Sequence, residues 1–279
     1  MKVAFRTHDL GVKGLEAATA KLKECNLDAV QLVAYKFMDD VKYAPGGLTE
    51  DKAVEIGKAF KDAGVTVGLI GAYFNPVHSD KRKVADCKQV FKDYLKYAKL
   101  LGCDTVGSET GSFNDDKWTY NPLNRTEEAL QTVIETFSEL ADYAAERGVN
   151  IGMEGAAGHV CYDVKTLKRA VDAIDRSNVK VIFDIYNYLE SSNYGDYLEI
   201  LKRGLDAFAG KIIAFHLKDY VIEDGKIKQV VPGKGLFDYG RILAEIKAYD
   251  KNALLVLEGT TGENIVPCTR FVKRIWEEV

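Results

Sequence analysis

The stretch "KIIAFHLKDY", residues 211–220, decides the fold. Its first half is apolar, as in a strand that is buried on both faces, and it ends in a histidine, a lysine and an aspartate. Successive side chains of a strand point to opposite faces. The strand therefore has two sets of side chains, one formed by Ile213, Phe215 and Leu217 and the other by Ile212, Ala214, His216 and Lys218. Ionisable groups at the end of such a strand are typical of a functional site at the carboxyl edge of an α/β sheet.

Seven similar apolar runs occur elsewhere and alternate with amphipathic segments. Together the runs predict eight strands, at 2–5, 29–34, 66–73, 105–109, 150–155, 179–185, 211–217 and 253–259. The segments between them predict eight helices, at 14–25, 49–63, 80–101, 124–147, 163–175, 192–209, 238–249 and 264–278. Three of these helices have a residue at their start that is typical of an N-cap, namely Thr49, Asn124 and Asp163.

Eight strand–helix units in 279 residues predict an α/β protein with a single (β/α)8 TIM barrel domain, residues 1–279. An open, doubly wound sheet is the structural alternative. Such a sheet usually carries the motif GxGxxG after an early strand, whereas the first strand here is followed by "RTHDLGVKG", residues 6–14. The barrel is therefore favoured.

The composition indicates an ordinary globular protein, with 47% hydrophobic and 29% charged residues. A net charge of −4 argues against a broad basic surface for nucleic acid or anionic membranes. The five cysteines are scattered without a CxxC pair, as in a reduced cytoplasmic protein. No run approaches the roughly 18 apolar residues of a membrane span, and the first ten residues do not resemble a signal peptide. We therefore expect a cytoplasmic protein with a small-molecule partner; the sequence leaves a homo-oligomer open.

Four consecutive predicted strands each end in one ionisable residue that faces the barrel interior, in the order Glu154, Asp184, His216 and Glu258. Because barrel strands end at one mouth, these side chains are predicted to converge. Three carboxylates and an imidazole would repel one another and lose hydration there without a counter-charge. One divalent cation supplies it, and the oxygen-rich donors favour Mn²⁺, with Mg²⁺, Co²⁺ and Zn²⁺ as alternatives. The other interpretation is four separate charges, each paired with a lysine or arginine.

The chain also resembles the xylose isomerase-like barrel family of sugar and sugar-phosphate isomerases and epimerases. The resemblance covers nearly the whole chain and rests mainly on "NIGMEGAAGHVCYD" (150–163), "NVKVIFDIYNYL" (178–189), "IIAFHLKDYVIEDGKI" (212–227), "VPGKGLFDYGRIL" (231–243) and "LLVLEGTTGENI" (254–265). It implies that Glu154, Asp184, His216 and Glu258 bind one divalent metal ion, and that Glu154 and Glu258 are also the acid/base pair.

The resemblance thus implies an isomerase or epimerase of a small sugar, sugar phosphate or polyol ketone. One glutamate would remove a proton next to the carbonyl, the other would return it, and the metal would stabilise the enediolate. Many epimerases of the family have a second histidine three residues after the aspartate, where this chain has Asn187. The ketose substrates of those epimerases therefore cannot be assigned directly to this chain. True xylose isomerases bind a second metal after the seventh strand, which "VIEDGKIKQ" (221–229) does not match, so proton transfer at one metal is favoured over a hydride shift.

Five further residues are predicted to bind substrate. Glu109 ends the fourth strand in the inward register, and Arg6 lies in the inward register of the first. His159 follows Glu154 closely enough to shuttle protons or bind hydroxyl groups, and Asn187 is suited to bind a hydroxyl group. Lys218 is suited to neutralise an oxyanion or bind a phosphate. Each residue also has a purely structural interpretation, as a strand-end charge, a loop residue or a turn cap.

Two loop features after the seventh strand complete the prediction. The segment "PGKG", residues 232–235, lies where barrels often bind phosphate, although a plain turn is the commoner interpretation. Asp219 is expected to orient a neighbouring loop and to lie outside the pocket.

Three other functions are alternatives. A lyase or dehydratase similar to inosose dehydratase would begin with the same proton abstraction, so the fold does not distinguish it from an isomerase. A non-catalytic sugar-binding barrel would keep the metal without turnover. A DNA-repair endonuclease is disfavoured, because such enzymes assemble three zinc ions from many histidines, and this chain has four histidines and a negative net charge.

Overall fold

The computed structural model describes residues 1–279 and contains a closed barrel of eight parallel strands. The barrel strands are β1 (Lys2–Arg6), β2 (Ala29–Leu32), β3 (Thr66–Gly71), β4 (Thr105–Glu109), β5 (Asn150–Glu154), β6 (Val179–Asp184), β7 (Ile212–Leu217) and β10 (Leu254–Leu257). Neighbours in the barrel follow chain order, and β10 pairs with β1 to close it. The predicted TIM barrel is confirmed, and every predicted strand corresponds to an observed one.

Helices surround the barrel and connect its strands. They are α1 (Leu15–Glu24), α2 (Ala34–Phe37), α3 (Glu50–Asp62), α4 (Lys81–Tyr97), α5 (Glu127–Ala145), α6 (Val164–Ile174), α7 (Tyr197–Ala207), α8 (Tyr239–Tyr249) and α9 (Ile265–Glu278). All eight predicted helices are present, and the single turn α2 was not predicted. None of the helices combines the length and the apolar character that crossing a bilayer requires.

Two of the three predicted N-caps are confirmed. The side chains of Thr49 and Asp163 accept hydrogen bonds from the third residue of their helices. Asn124 does not cap α5, because Thr126 does so two residues later. Asn124 is instead buried, and its amide donates to the carbonyl oxygen of Gly158 at 2.8 Å. It therefore joins the loop after β4 to the loop after β5.

A bulge in β7 changes the faces of the barrel to which the side chains of its first two residues point. Two consecutive residues of β6 pair with Ile212 and Ala214, so Ile213 is an extra residue in the ladder. Ile212 packs in the core between strands and helices, and Ile213 packs against the small cluster inside the barrel. The regular alternation predicts Ile212 on the inward face of His216 and Ile213 on the opposite face, and this prediction is wrong for both residues. The alternation resumes after the bulge, so His216 still faces the interior.

A β-hairpin outside the barrel follows β7. It pairs β8 (Asp219–Glu223) with β9 (Lys226–Val230) in antiparallel register, through a turn at Asp224 and Gly225. Both turn residues have positive φ, 50° and 72°, as a two-residue type I′ turn requires. The dipeptide Asp-Gly was the available signal for this hairpin, which the sequence analysis did not predict.

The approach of α7 to β6 depends on a glycine. A Cβ atom at Gly204 would lie 2.2 Å from Cζ of Phe183, the residue that precedes Asp184. The absence of a side chain at Gly204 therefore lets α7 pack directly on the strand that carries Asp184.

We expect Gly204→Ala to destabilise the protein despite the better helix propensity of alanine. Propensity contributes about 1 kcal/mol in favour of alanine, whereas overpacking costs about 1–3 kcal/mol. The free energy of unfolding, measured by urea denaturation, should fall by about 1 kcal/mol or more. Gly195→Ala is the control, because its Cβ would have no atom within 4 Å, and its effect should stay within about 0.5 kcal/mol. An unchanged stability of Gly204→Ala would contradict the tight contact.

Candidate active site and metal centre

Four side chains meet at the carboxyl ends of neighbouring barrel strands. Glu154 and Asp184 end β5 and β6, His216 is the penultimate residue of β7, and Glu258 follows β10. One potential ligand atom from each residue lies within 4.8 Å of those of the others. Glu154, Asp184 and His216 are at most 2% exposed. The structure thus brings the four residues together, as the alternation of the strands predicted.

His216 and Lys218 bridge the three carboxylates. Nδ1 of His216 lies 3.1 Å from Oε1 of Glu154 and 2.9 Å from Oε2 of Glu258. Nζ of Lys218 lies 2.8 Å from Oδ2 of Asp184 and 3.0 Å from Oε1 of Glu258. Lys218 is itself buried. The lysine therefore belongs to the cluster and is not a residue of its rim.

Burial and charge act in opposite directions on the pKa values of the cluster, because burial disfavours every charged form. Burial lowers the pKa of His216, but Glu154 and Glu258 outweigh burial and raise this pKa to about 10. Burial likewise raises the pKa of Glu258, yet Lys218 and His216 outweigh it and hold this pKa well below its usual value. At Asp184 burial prevails over Lys218, and the pKa is raised. The cluster therefore strongly stabilises positive charge placed within it.

Oε2 of Glu154 has no partner in the protein. Oε1 of Glu154 accepts a hydrogen bond from Asn187 at 2.8 Å, whereas Oε2 is buried and unpaired. A buried acceptor without a partner costs roughly 1–3 kcal/mol. Three carboxylates and an imidazole are a suitable donor set for a divalent ion with mostly oxygen ligands. The residues present therefore fit one such ion, which would also satisfy Oε2 of Glu154.

Arg6 and Asn187, two of the predicted substrate-binding residues, also contact the cluster. A terminal nitrogen of Arg6 lies 2.8 Å from Oε1 of Glu258, and its Nε donates to Oδ2 of Asp9 at 2.7 Å. Oδ1 of Asn187 accepts from Nζ of Lys218 at 2.8 Å. Arg6 is thus held by two carboxylates, and Asn187 keeps one N–H for another partner.

Glu109 and His159, also predicted to bind substrate, form a second pair beside the cluster. Oε2 of Glu109 lies 3.4 Å from Nδ1 of His159, whose ring packs edge-on against Trp118 with centroids 5.6 Å apart. Burial, reinforced by Glu154 and Glu258, raises the pKa of Glu109 to about 8. Burial lowers the pKa of His159 to about 4. Near neutral pH the pair is therefore a carboxylic acid next to a neutral imidazole.

The glycine-rich segment 232–235 does not present free amides to a phosphate group. The amides of Gly233 and Gly235 donate to Oδ2 of Asp219 at 3.0 Å each, and the amide of Lys234 donates to the carbonyl oxygen of Val231 at 3.1 Å. The expectation that Asp219 orients a neighbouring loop is confirmed. The segment is a turn organised by Asp219, as the commoner interpretation held.

Sequence reasoning missed Gln31, a buried residue of β2 that contacts the cluster. Its Oε1 lies 2.9 Å from Nε2 of His216, and its Nε2 donates to the hydroxyl group of Tyr73. A signal was present, because Gln31 is the one polar residue in the apolar run "AVQLVA", residues 29–34. A polar side chain in a buried strand requires a partner.

Fold and site together define a (β/α)8 barrel with a buried carboxylate–histidine cluster, suited to a divalent cation, at its mouth. The chain belongs to the xylose isomerase-like TIM barrel family, whose model matches residues 19–270. The resemblance of the sequence motifs to this family is thereby confirmed.

In sequence, the chain is similar to an inosose isomerase from Bacillus velezensis, with 32% identity over 141 residues that cover 47% of each chain. It thus matches about half the length of that relative. An inosose dehydratase from Glaesserella parasuis is 24% identical over 226 residues, with 69% of each chain covered. The solved structure of the IOLI protein with a bound zinc atom has a TM-score of 0.74 and 17% identity, over 100% of this chain and 97% of that one. At this identity the structural likeness establishes a common fold.

The raised pKa of Glu109 predicts a pH-dependent loss of stability. An unfolded glutamate titrates at about 4.3, whereas Glu109 in the folded protein titrates at about 8, so the folded state binds this proton more tightly. The resulting stabilisation is complete below pH 4 and is lost as the pH rises through 8. A glutamine at this position has no proton to lose. With EDTA present, we therefore expect Glu109→Gln to be more stable than wild type at pH 8.5, and the advantage to shrink towards pH 4.5.

Urea denaturation at both pH values measures this effect. Glu135→Gln is the matched control, because Glu135 is exposed on α5, and its effect should depend little on pH. The same pH dependence in wild type and Glu109→Gln would show that Glu109 is not held as an acid.

Proposed function

We propose that the protein is a divalent-metal-dependent isomerase or epimerase of a small sugar or polyol ketone, which acts by moving a proton on the carbon next to the carbonyl group. The observation that carries this proposal is the cluster of Glu154, Asp184, His216 and Glu258, with its unpaired oxygen on Glu154. Similarity to an inosose isomerase and an inosose dehydratase supports the substrate class, because inososes are cyclic polyol ketones.

In this proposal Glu154, Asp184, His216 and Glu258 hold the cation, and Mn²⁺ is preferred because three of the four donors are hard oxygens. The IOLI protein contains zinc, so Zn²⁺ is an alternative. A bound divalent ion would supply Lewis-acid polarisation of substrate oxygens and stabilise the negative charge that develops on them.

Glu154 and Glu258 differ in a way that assigns their roles. Of the two glutamates, Glu154 has the fewer cationic partners, since only His216 contacts it, so Glu154 is assigned the removal of the proton. Glu258 is paired with Arg6, Lys218 and His216, which keep it ionised. An ionised Glu258 has no proton to give at the start of the reaction. The asymmetry therefore favours isomerisation, in which one base moves the proton between adjacent carbons, over epimerisation, which returns a proton to the opposite face.

Substrate contacts are proposed for five residues within or beside the cluster, namely Arg6, Glu109, His159, Asn187 and Lys218. In this proposal the positive charge of Lys218 stabilises an oxyanion, and the remaining N–H of Asn187 binds a hydroxyl group. The occupied amides of residues 232–235 favour an unphosphorylated substrate over a sugar phosphate.

A dehydratase is the second candidate, and the carboxylic acid of Glu109 favours it. After proton abstraction, loss of water requires an acid that protonates the departing hydroxyl group. Glu109 keeps its proton near neutral pH, and His159 lies beside it. Dehydration would release one water molecule per turnover, whereas isomerisation conserves all atoms of the substrate.

The test is incubation in D₂O with Mn²⁺ and a panel of inososes, keto-sugars and their phosphates, followed by NMR and mass spectrometry. Deuterium on carbon in a product isomeric with the substrate supports the isomerase, and a product lighter by one water supports the dehydratase. Absence of exchange with every compound, under each of Mn²⁺, Mg²⁺, Co²⁺ and Zn²⁺, would overturn the proposal in favour of a sugar-binding barrel.

We expect Glu154→Gln to reduce deuterium exchange by about 10²–10⁴-fold, the range of a lost acid/base group, and Glu258→Gln to reduce it by about 10–100-fold or more, because it weakens the proposed metal site. Glu154→Gln removes the base, and Glu258→Gln removes a charge that anchors Arg6 and Lys218. Glu135→Gln, on the exposed face of α5, should retain full exchange. Full activity of either active-site variant would eliminate the roles assigned here.

Removal of metal by EDTA should abolish exchange without unfolding the protein. Lys218, Arg6 and His216 already pair with the carboxylates, so the barrel should keep its far-UV circular dichroism, with a lower midpoint of thermal unfolding. Re-addition of Mn²⁺ should restore both exchange and the midpoint. Exchange that survives exhaustive chelation would contradict metal dependence.

A further inference from the structure

Gln31 connects the carboxylate–histidine cluster to the opposite side of the barrel. It lies in β2, is fully buried, and faces His216 across the barrel interior. Its side chain makes two contacts, from Oε1 to Nε2 of His216 at 2.9 Å and from Nε2 to the hydroxyl group of Tyr73. Polar groups from β2, β7 and the loop after β3, of which Gln31 and His216 are buried and Tyr73 is half-buried, thus form one chain of hydrogen bonds.

The two nitrogen atoms of His216 have different surroundings. Nδ1 faces Oε1 of Glu154 and Oε2 of Glu258, so it is the nitrogen directed at the proposed cation site. Nε2 faces Oε1 of Gln31, and an amide oxygen only accepts hydrogen bonds. Nε2 therefore keeps its hydrogen, and a cation that displaces the hydrogen of Nδ1 would leave a ring with its lone pair on Nδ1, the form that a metal ligand requires.

We propose that Gln31 is a positioning residue that fixes the orientation and the tautomer of His216 for binding of a divalent cation. The inference rests on the proposed function, since it takes His216 as a ligand. Gln31 has no exposed surface, so it does not reach a substrate in the mouth. Its effect is therefore on the affinity for the metal and on the state of the imidazole.

Tyr73 stabilises the orientation of Gln31 through a hydrogen bond. Its hydroxyl group accepts from Nε2 of Gln31, which satisfies the amide N–H and keeps the amide oxygen turned towards His216. Removal of this hydroxyl group should loosen Gln31 without removing its oxygen.

Isothermal titration of Mn²⁺ into the metal-free protein tests the inference. Gln31→Leu, which has similar size and no acceptor, should bind about 10–100-fold more weakly, as is typical when the partner of a metal-binding histidine is lost. Gln31→Glu keeps an acceptor at the same position and should bind within a few-fold of wild type. Tyr73→Phe should lie between the two. Gln89→Leu, on the exposed face of α4, is the control and should bind as wild type does.

A second readout separates positioning from a general loss of packing. In Zn²⁺-loaded, ¹⁵N-histidine-labelled protein, Nε2 of His216 should carry a hydrogen in wild type and in Gln31→Glu. Its signal should shift or broaden in Gln31→Leu, because the acceptor is gone. A merely structural role of Gln31 would leave this signal in place.

The outcomes distinguish the two proposals. Failure of wild type to bind any divalent ion would overturn the proposed function together with this inference. Normal binding by wild type, with equal affinity and an unchanged His216 signal in Gln31→Leu, would overturn the inference alone. If Gln31→Leu does not fold, Tyr73→Phe decides, and wild-type affinity with an unchanged signal in that variant would contradict the inference.

Discussion

Three carboxylates, two of them buried and one half-buried, meet at one barrel mouth and require positive charge, and the rest of the site follows from this requirement. Lys218 pairs with Asp184 and Glu258, and His216 lies between Glu154 and Glu258. These side chains neutralise most of the cluster but leave one oxygen of Glu154 without a partner. Because the charges of the cluster are nearly balanced, the protein can stay folded without a metal ion. The unpaired oxygen can still attract a cation.

The barrel makes this concentration of charge possible because its backbone is fixed. The strands close on themselves, so side chains at their ends cannot move apart without breaking the ladder. Small and medium-sized side chains fill the interior below the cluster, namely Ala4, Ala29, Leu69, Ile182, Ala214 and Val256. The charged groups therefore lie on a packed apolar floor, where water does not compete from below.

The sequence predicts those features that depend on the regular alternation of side chains along strands and helices. It does not predict those that depend on contacts between distant segments. Alternation along the strands was sufficient to bring Glu154 and His216 to one place, even though β7 contains a bulge. The bulge itself at Ile213 has no local signature in an apolar run, since either neighbouring residue suits either face. The approach of His159 to Glu109 requires the loop after β5 to fold back towards β4, which no short motif specifies.

The chemistry of the site finally depends on where protons are held. On one side, Glu258 is kept ionised by its cationic neighbours, whereas only one of these, His216, contacts Glu154, the proposed base. On the other side, Glu109 is held as an acid, because burial and the nearby glutamates disfavour its charge. In the proposed function, such a base and acid at one pocket would serve both isomerisation, in which the acid only binds a hydroxyl group, and dehydration, in which the acid gives up its proton. Under the proposed function, the substrate group that faces Glu109 decides the reaction: a hydroxyl group on the carbon next to the deprotonated one, β to the carbonyl, would depart as water, and any other group would remain.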